Sequence, residues 1–125
     1  MENQSSKLKI IGGLVIALAL IWGITEWRQS RKISGAELDD FAQCLTDRGY
    51  MMYGAYWCSH CQNEKKGFGP SAWKRVNYIE CTKEPKQCLD AGIKGYPTWL
   101  GPEGTRLEGE QGVGRLSEVS GCPLY

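Results

Sequence analysis

Residues 50–66, YMMYGAYWCSHCQNEKK, change character at one point. Eight apolar or aromatic positions, interrupted at Gly54, suit a buried strand better than a helix, and a polar, helix-prone stretch follows. Cys58 and Cys61 stand three positions apart at the change. A strand running into a helix there puts Cys58 at the helix N-terminus, where unpaired N–H groups and the positive end of the dipole favour a thiolate. Cys61, one turn along the same face, can then reach back to release whatever Cys58 has captured. The pattern therefore points to a redox dithiol in which Cys58 attacks and Cys61 resolves. His60, the chain's only histidine, lies between them and is expected to tune the pair towards the reduced form, with a solvated surface histidine as the alternative.

The surrounding pattern supplies a domain for this junction. Ser34 and Glu37 fit a capping box, and Leu38, Phe41, Cys44 and Leu45 recur at helical spacing. After the dithiol, the helix is expected to break at Gly67, Gly69 and Pro70 and to resume over SAWKRV. VNYIEC reads as a strand, EPKQCLDAG as a short helix, YPTWL and TRLEG as a hairpin across GPEG, and LSEVSGC as a final helix. The order α-β-α-β-α-β-β-α implies a mixed sheet with helices on both faces, the element order of the thioredoxin fold. Tyr96 before Pro97 is a candidate cis bond, since X–Pro is the linkage where cis costs only about 0.5–1 kcal/mol. Its loop would face the cysteines, so Trp57, Tyr96 and Pro97 are the expected substrate-binding residues. A trans proline opening an edge strand is the alternative.

Residues 1–32 read as a tail, a transmembrane anchor over about 8–27, and a tether; residues 33–125 form the domain. Ile10 to Thr25 is a run of 16 uncharged, mostly apolar positions, and taking in Leu8 and Trp27 extends the segment to 20, about the length that spans a bilayer. A cleaved signal peptide is the rival, but no small-x-small site follows. All six cysteines fall after this segment, which suggests an oxidising compartment, a periplasm or thylakoid-type lumen. From Ile33 onward, 10 Lys and Arg stand against 12 Asp and Glu, so no basic stripe invites nucleic acid.

WCSHC after a strand, with GYPT one crossover later, resembles the thioredoxin superfamily over essentially all of Ser34 to Tyr125. MYGAYWCSHCQNEKKGFG, YIEC and AGIKGYPTW are similar to the thioredoxin-like domain of bacterial vitamin K epoxide reductase homologues. That resemblance implies a membrane-anchored thiol–disulfide oxidoreductase. It would form disulfides in extracytoplasmic proteins and pass electrons to a quinone-linked membrane oxidase, with no organic cofactor or metal required. A reductase or isomerase of the same fold is the alternative. Two positions depart from the pattern: Ser59 stands where that group commonly has proline, and Met52 where thioredoxins and disulfide isomerases usually bury an acid that accepts the second cysteine's proton.

The resembling family also has a cysteine pair near Cys81 and Cys88. A disulfide there would close a small loop and contribute ~2–3 kcal/mol, with a relay pair as the alternative. Cys44 and Cys122 would then pair by exclusion, or stay free, or link two chains. Zinc held by Cys58, Cys61, Cys81 and Cys88 is a rival reading, weakened by the six-residue gap in the second half. A redox-inert tethered interaction domain is another.

Overall fold

The computed structural model of the protein describes residues 4–29 and 32–125, and the chain divides into two units, Met1–Lys32 and Ile33–Tyr125. The first holds one helix, α1 (Gln4–Gln29). Among the described residues no helix is long and apolar enough to cross a membrane. This overturns the expected anchor over about 8–27, and with it the single-pass membrane localisation. The physical reason lies in the length of the run. Sixteen uncharged residues make about 24 Å of helix at 1.5 Å per residue, short of a hydrocarbon core of about 30 Å. The segment 8–27 reaches twenty only by taking in Lys9 and Glu26. The side chains of Leu8, Trp27 and Arg28, and the tether at 30 and 31, lie outside the described residues.

The second unit opens with α2 (Gly35–Asp47), started by a complete capping box: Glu37 N–H donates to Ser34 Oγ at 3.2 Å, and Ser34 N–H donates to Glu37 Oε2 at 2.6 Å. Its apolar face buries Phe41, Ala42 and Leu45. Strand β1 (Met51–Gly54) is half as long as the apolar run that contains it. Cys58 N–H donates to the Ala55 carbonyl at 3.1 Å, closing a turn that leaves Tyr56 and Trp57 exposed. Helix α3 (Ser59–Trp73) follows and is broken at Gly69, φ 77°, just before Pro70. Proline disfavours the α conformation in the residue before it, and glycine alone takes this positive φ without strain.

The remaining elements are β2 (Tyr78–Glu80), α4 (Pro85–Asp90), β3 (Thr98–Leu100), a 3-10 turn at Pro102–Gly104, β4 (Arg106–Glu108) and α5 (Gly112–Ser120). The sheet order is β2-β1-β3-β4, with β1 parallel to β2 and antiparallel to β3, and with β3 and β4 antiparallel. This mixed sheet flanked by helices is consistent with a thioredoxin-like fold. The core centres on Trp99, Phe41, Phe68, Leu45, Met52 and Leu116, all fully buried. The Phe68 ring meets Phe41, Trp73 and Trp99 at centroid distances of 5.8, 5.9 and 6.0 Å, the range of favourable aromatic pairs. Disulfides join Cys44 to Cys122 and Cys81 to Cys88. The first ties α2 to the segment after α5, across 78 residues of chain.

Candidate active site: a dithiol at the head of α3

Cys58 is the N-cap of α3, and its Sγ accepts the Cys61 N–H at 3.2 Å. A sulfur in this position takes the place of the usual capping oxygen and meets one of the helix's unpaired donors, a setting that stabilises negative charge on it. Cys58 is 7 % exposed and lines a cleft of about 500 Å3 together with Trp57, Ser59, His60 and the loop Ile93 to Tyr96. Cys61 is fully buried, one turn further in. Burial pushes its thiol up to about 12, and the hydrogen bond with Cys58 adds to the effect. Both sulfurs are thiols here, and the two differ in access as well as in chemistry.

The loop across the cleft brings the second part of the expected site into place. The Tyr96–Pro97 peptide is cis. Trp57 and Tyr96 meet edge to face at 5.9 Å, and Trp57 is 61 % exposed. Pro97 is buried, and its carbonyl already accepts the Gly109 N–H at 2.8 Å. Of the expected substrate-binding residues, Trp57 and Tyr96 border the cleft and Pro97 does not line it. His60 is exposed, and its Nδ1 lies 2.9 Å from Glu110 Oε2. Its ring thus also ties the head of α3 to the segment before α5. The hydrogen bonds with His60, then Asn63, hold Glu110 below the usual carboxylate range.

Two acids that the sequence reading passed over belong to the surroundings of the dithiol. Glu64, 1 % exposed on α3, accepts the Gly112 N–H at 3.2 Å, the Gln111 N–H, and the Trp99 indole N–H at 3.4 Å. It caps α5 from another element, which is why that helix begins at Gly112 and not at Leu116. On β2, Glu80 accepts hydrogen bonds from the Tyr78 hydroxyl at 2.7 Å, the Thr82 hydroxyl at 2.8 Å and the Tyr56 N–H at 3.2 Å. Glu64 was missed because its Gln111 partner lies 47 residues away, and Glu80 because its Tyr56 partner lies 24 residues away, although Tyr78 and Thr82 are each two residues from it. An acid three positions after the buried Cys61 and four before the buried Phe68, on the face that carries both, was the available signal for Glu64.

The zinc alternative needs Cys81 and Cys88 as thiolates, whereas here they are bonded to each other. Among the described residues no three His, Cys, Asp or Glu side chains converge as a metal site.

No protein-family profile matches the chain. Over 91 residues it is 43 % identical to a protein of Arabidopsis thaliana named thiol-disulfide oxidoreductase LTO1, a match covering 66 % of this chain and 24 % of that one. Over 90 residues it is 32 % identical to the thioredoxin domain-containing protein 5 homolog of Drosophila melanogaster, covering 65 % of this chain and 22 % of that one. The chain thus spans about a quarter of the length of the curated relatives it matches. These likenesses, with the close cysteine pair, support homology to thioredoxin-superfamily oxidoreductases. The close pair Cys58 and Cys61 at the head of α3 is the feature of this chain that fits that likeness. The expected single membrane anchor and the quinone-linked membrane oxidase do not survive: among the described residues no helix is long and apolar enough to cross a membrane, and the oxidase rested on the resemblance alone, with neither relative's name pointing to a quinone-linked partner.

Proposed function

We propose that the chain exchanges thiols and disulfides with polypeptide substrates through Cys58 and Cys61. Cys58 is the attacking sulfur, Cys61 resolves the mixed disulfide, and His60 with its Glu110 partner sets the charge beside the pair. The observation that carries this reading is the Cys58 sulfur capping α3 while lining the cleft. Exposed Trp57 and half-buried Tyr96 offer flat aromatic surface in the cleft that the sulfur lines, and a shallow cleft between a helix head and a loop suits an extended segment of chain better than a compact small molecule. The printed name of the Arabidopsis relative agrees with the activity.

Atoms balance simply. The Cys58 thiolate attacks one sulfur of a substrate disulfide and expels the other as a thiolate. Cys61 then attacks Cys58, forming the Cys58–Cys61 bond and releasing the second substrate sulfur, so that the substrate gains the two electrons the pair loses. The reverse sequence oxidises a substrate dithiol. A trapping experiment tests the assignment: Cys61→Ser should accumulate a covalent adduct with a disulfide-containing peptide, linked through residue 58, and Cys58→Ser should form none. An adduct formed equally well by Cys58→Ser would refute it.

A further inference from the structure

Resolution requires Cys61 to lose a proton, yet this thiol is fully buried and Met52 stands where related enzymes place an acid. The neighbouring groups suggest another route. Gly54, the last residue of β1, has no side chain, and the point where its Cβ would stand lies 3.0 Å from Cys61 Sγ, 3.1 Å from Tyr78 Cε2 and 3.3 Å from the Tyr78 hydroxyl. The missing side chain leaves the thiol and the phenol side by side. That phenol donates to Glu80 Oε2 at 2.7 Å, and Glu80 is only half-buried.

We infer that Tyr78 and Glu80 form the proton path for Cys61, a step that rests on the proposed exchange reaction. As Cys61 prepares to attack, its S–H proton passes to the Tyr78 oxygen, directly or through one water. The Tyr78 proton moves in the same event to Glu80, which returns it to solvent. The Cys61 thiolate then forms its bond to Cys58, and the substrate sulfur leaves. When a substrate thiolate attacks the oxidised pair, the path runs backwards and Cys61 departs as a thiol.

The surrounding charges suit this division of work. On α3 the titratable groups acting on Cys61 are Cys58 and Lys65; on β2 they are Tyr78 and, through it, Glu80. Lys65 Nζ sits 4.4 Å from the centre of the Tyr78 ring and 5.3 Å from that of Trp73, where a cation favours a transient negative charge on either sulfur or oxygen. Burial and then the bond to Glu80 keep the Tyr78 phenol well above its ordinary value, so it holds a proton between transfers. Burial alone would raise Glu80, but the hydrogen bonds from Tyr78, Thr82 and the Tyr56 N–H outweigh it and hold the carboxyl below its usual range, so it is ionised between transfers and passes on to solvent any proton it receives.

The test follows one turnover of the reduced protein with oxidised glutathione, quenched in acid and read by mass spectrometry from pH 5 to pH 10. Tyr78→Phe keeps the ring that packs on Trp73 at 5.3 Å. Glu80→Gln keeps one acceptor oxygen, for the Tyr78 hydroxyl or for the Tyr56 N–H, which use different oxygens of the carboxylate, and cannot take up a proton. In the wild type the glutathione adduct on Cys58 should be short-lived across the range. In either variant the adduct should form at the wild-type rate, yet resolve about a hundredfold more slowly at pH 7, the gap closing by about tenfold per pH unit as hydroxide takes over. Wild-type adduct lifetimes and pH profiles in both variants would overturn the proton path and leave the exchange reaction standing. A wild type that forms neither adduct nor Cys58–Cys61 disulfide would overturn the exchange reaction itself.

Discussion

Glu64→Ala is the substitution with the most to say about how the site is built. It removes one carboxylate that is 1 % exposed and accepts hydrogen bonds from Gln111, Gly112 and Trp99. Replacing a buried charge by an apolar group is often harmless when its partners can be replaced with it. Here two of the donors are backbone N–H groups fixed by the start of α5, so they remain and lose their acceptor. The indole bond, at 3.4 Å, is too long to weigh much. Two half-buried donors left without this acceptor, at about 1.5 kcal/mol each in the lower part of the range for an unsatisfied group, give a loss of at most about 3 kcal/mol. In a domain of this size each kcal/mol shifts Tm by about 4–8 °C, so the expected fall is at most about 12–24 °C. A domain stable by about 5–15 kcal/mol would stay folded at room temperature. Urea unfolding followed by tryptophan fluorescence measures the loss. Glu64→Gln can keep its oxygen at the Oε1 position, which accepts from Gln111, Gly112 and Trp99, and sets its NH2 only against the Gly112 N–H, so it should cost less than half as much. A loss under about 1 kcal/mol for Glu64→Ala would refute the claim that α5 is capped from α3.

Other tests address separate parts of the site. Removing the Cys44–Cys122 disulfide by double substitution to alanine should cost about 4.5 kcal/mol on the chain-entropy relation, against about 2.4 kcal/mol for Cys81–Cys88, since their separations are 78 and 7 residues; equal urea midpoints for the two double variants would count against that ranking. Gly54→Ala would set a Cβ 3.0 Å from Cys61 Sγ and 3.1 Å from the Tyr78 ring, so calorimetry should show about 1–3 kcal/mol of destabilisation from overpacking. The raised Cys61 thiol has a sign that calorimetry across pH can check: a group that holds its proton longer when folded stabilises fully below its unfolded value, near 9, and loses that contribution as pH climbs towards about 12. Iodoacetamide at pH 8 should accordingly label Cys58 and spare Cys61, as a peptide map would reveal. For Glu110, depressed first by its bond to His60, His60→Ala should move the carboxyl's NMR titration midpoint back up towards the ordinary carboxylate value; no upward movement would remove that contact from the account.

What was legible in the sequence was local. Ser34 and Glu37 announce α2 because a capping box closes within four residues, and the dithiol stands out because the apolar run meets a polar helix at Cys58. The expected strand over residues 50–57 overran β1 because aromatic residues look alike in a strand and in an exposed rim; only the turn from Ala55 to Cys58 tells them apart. The anchor failed because its twenty positions are reached only by taking in Lys9 and Glu26, and among the described residues no helix is long and apolar enough to cross a membrane. Glu64 and Glu80 went unread for another reason. An acid in a helix or short strand is most often solvated, and the fold brings partners to both of these from distant segments.

The two sulfurs acquire unequal tasks from a single turn of helix. At the N-cap, Cys58 meets an N–H and a cleft; one turn deeper, Cys61 meets β1 and the Tyr78 ring, away from water. A sulfur that must find its substrate gains from the first setting, and one that must not react with stray disulfides gains from the second. The cost of that protection is a thiol reluctant to ionise, which is why a buried resolving cysteine calls for a proton route of its own. With methionine at position 52, β1 offers none, and the acceptor nearest the pair belongs to the neighbouring strand. Gly54 makes this possible: any side chain there would stand between the thiol and the phenol.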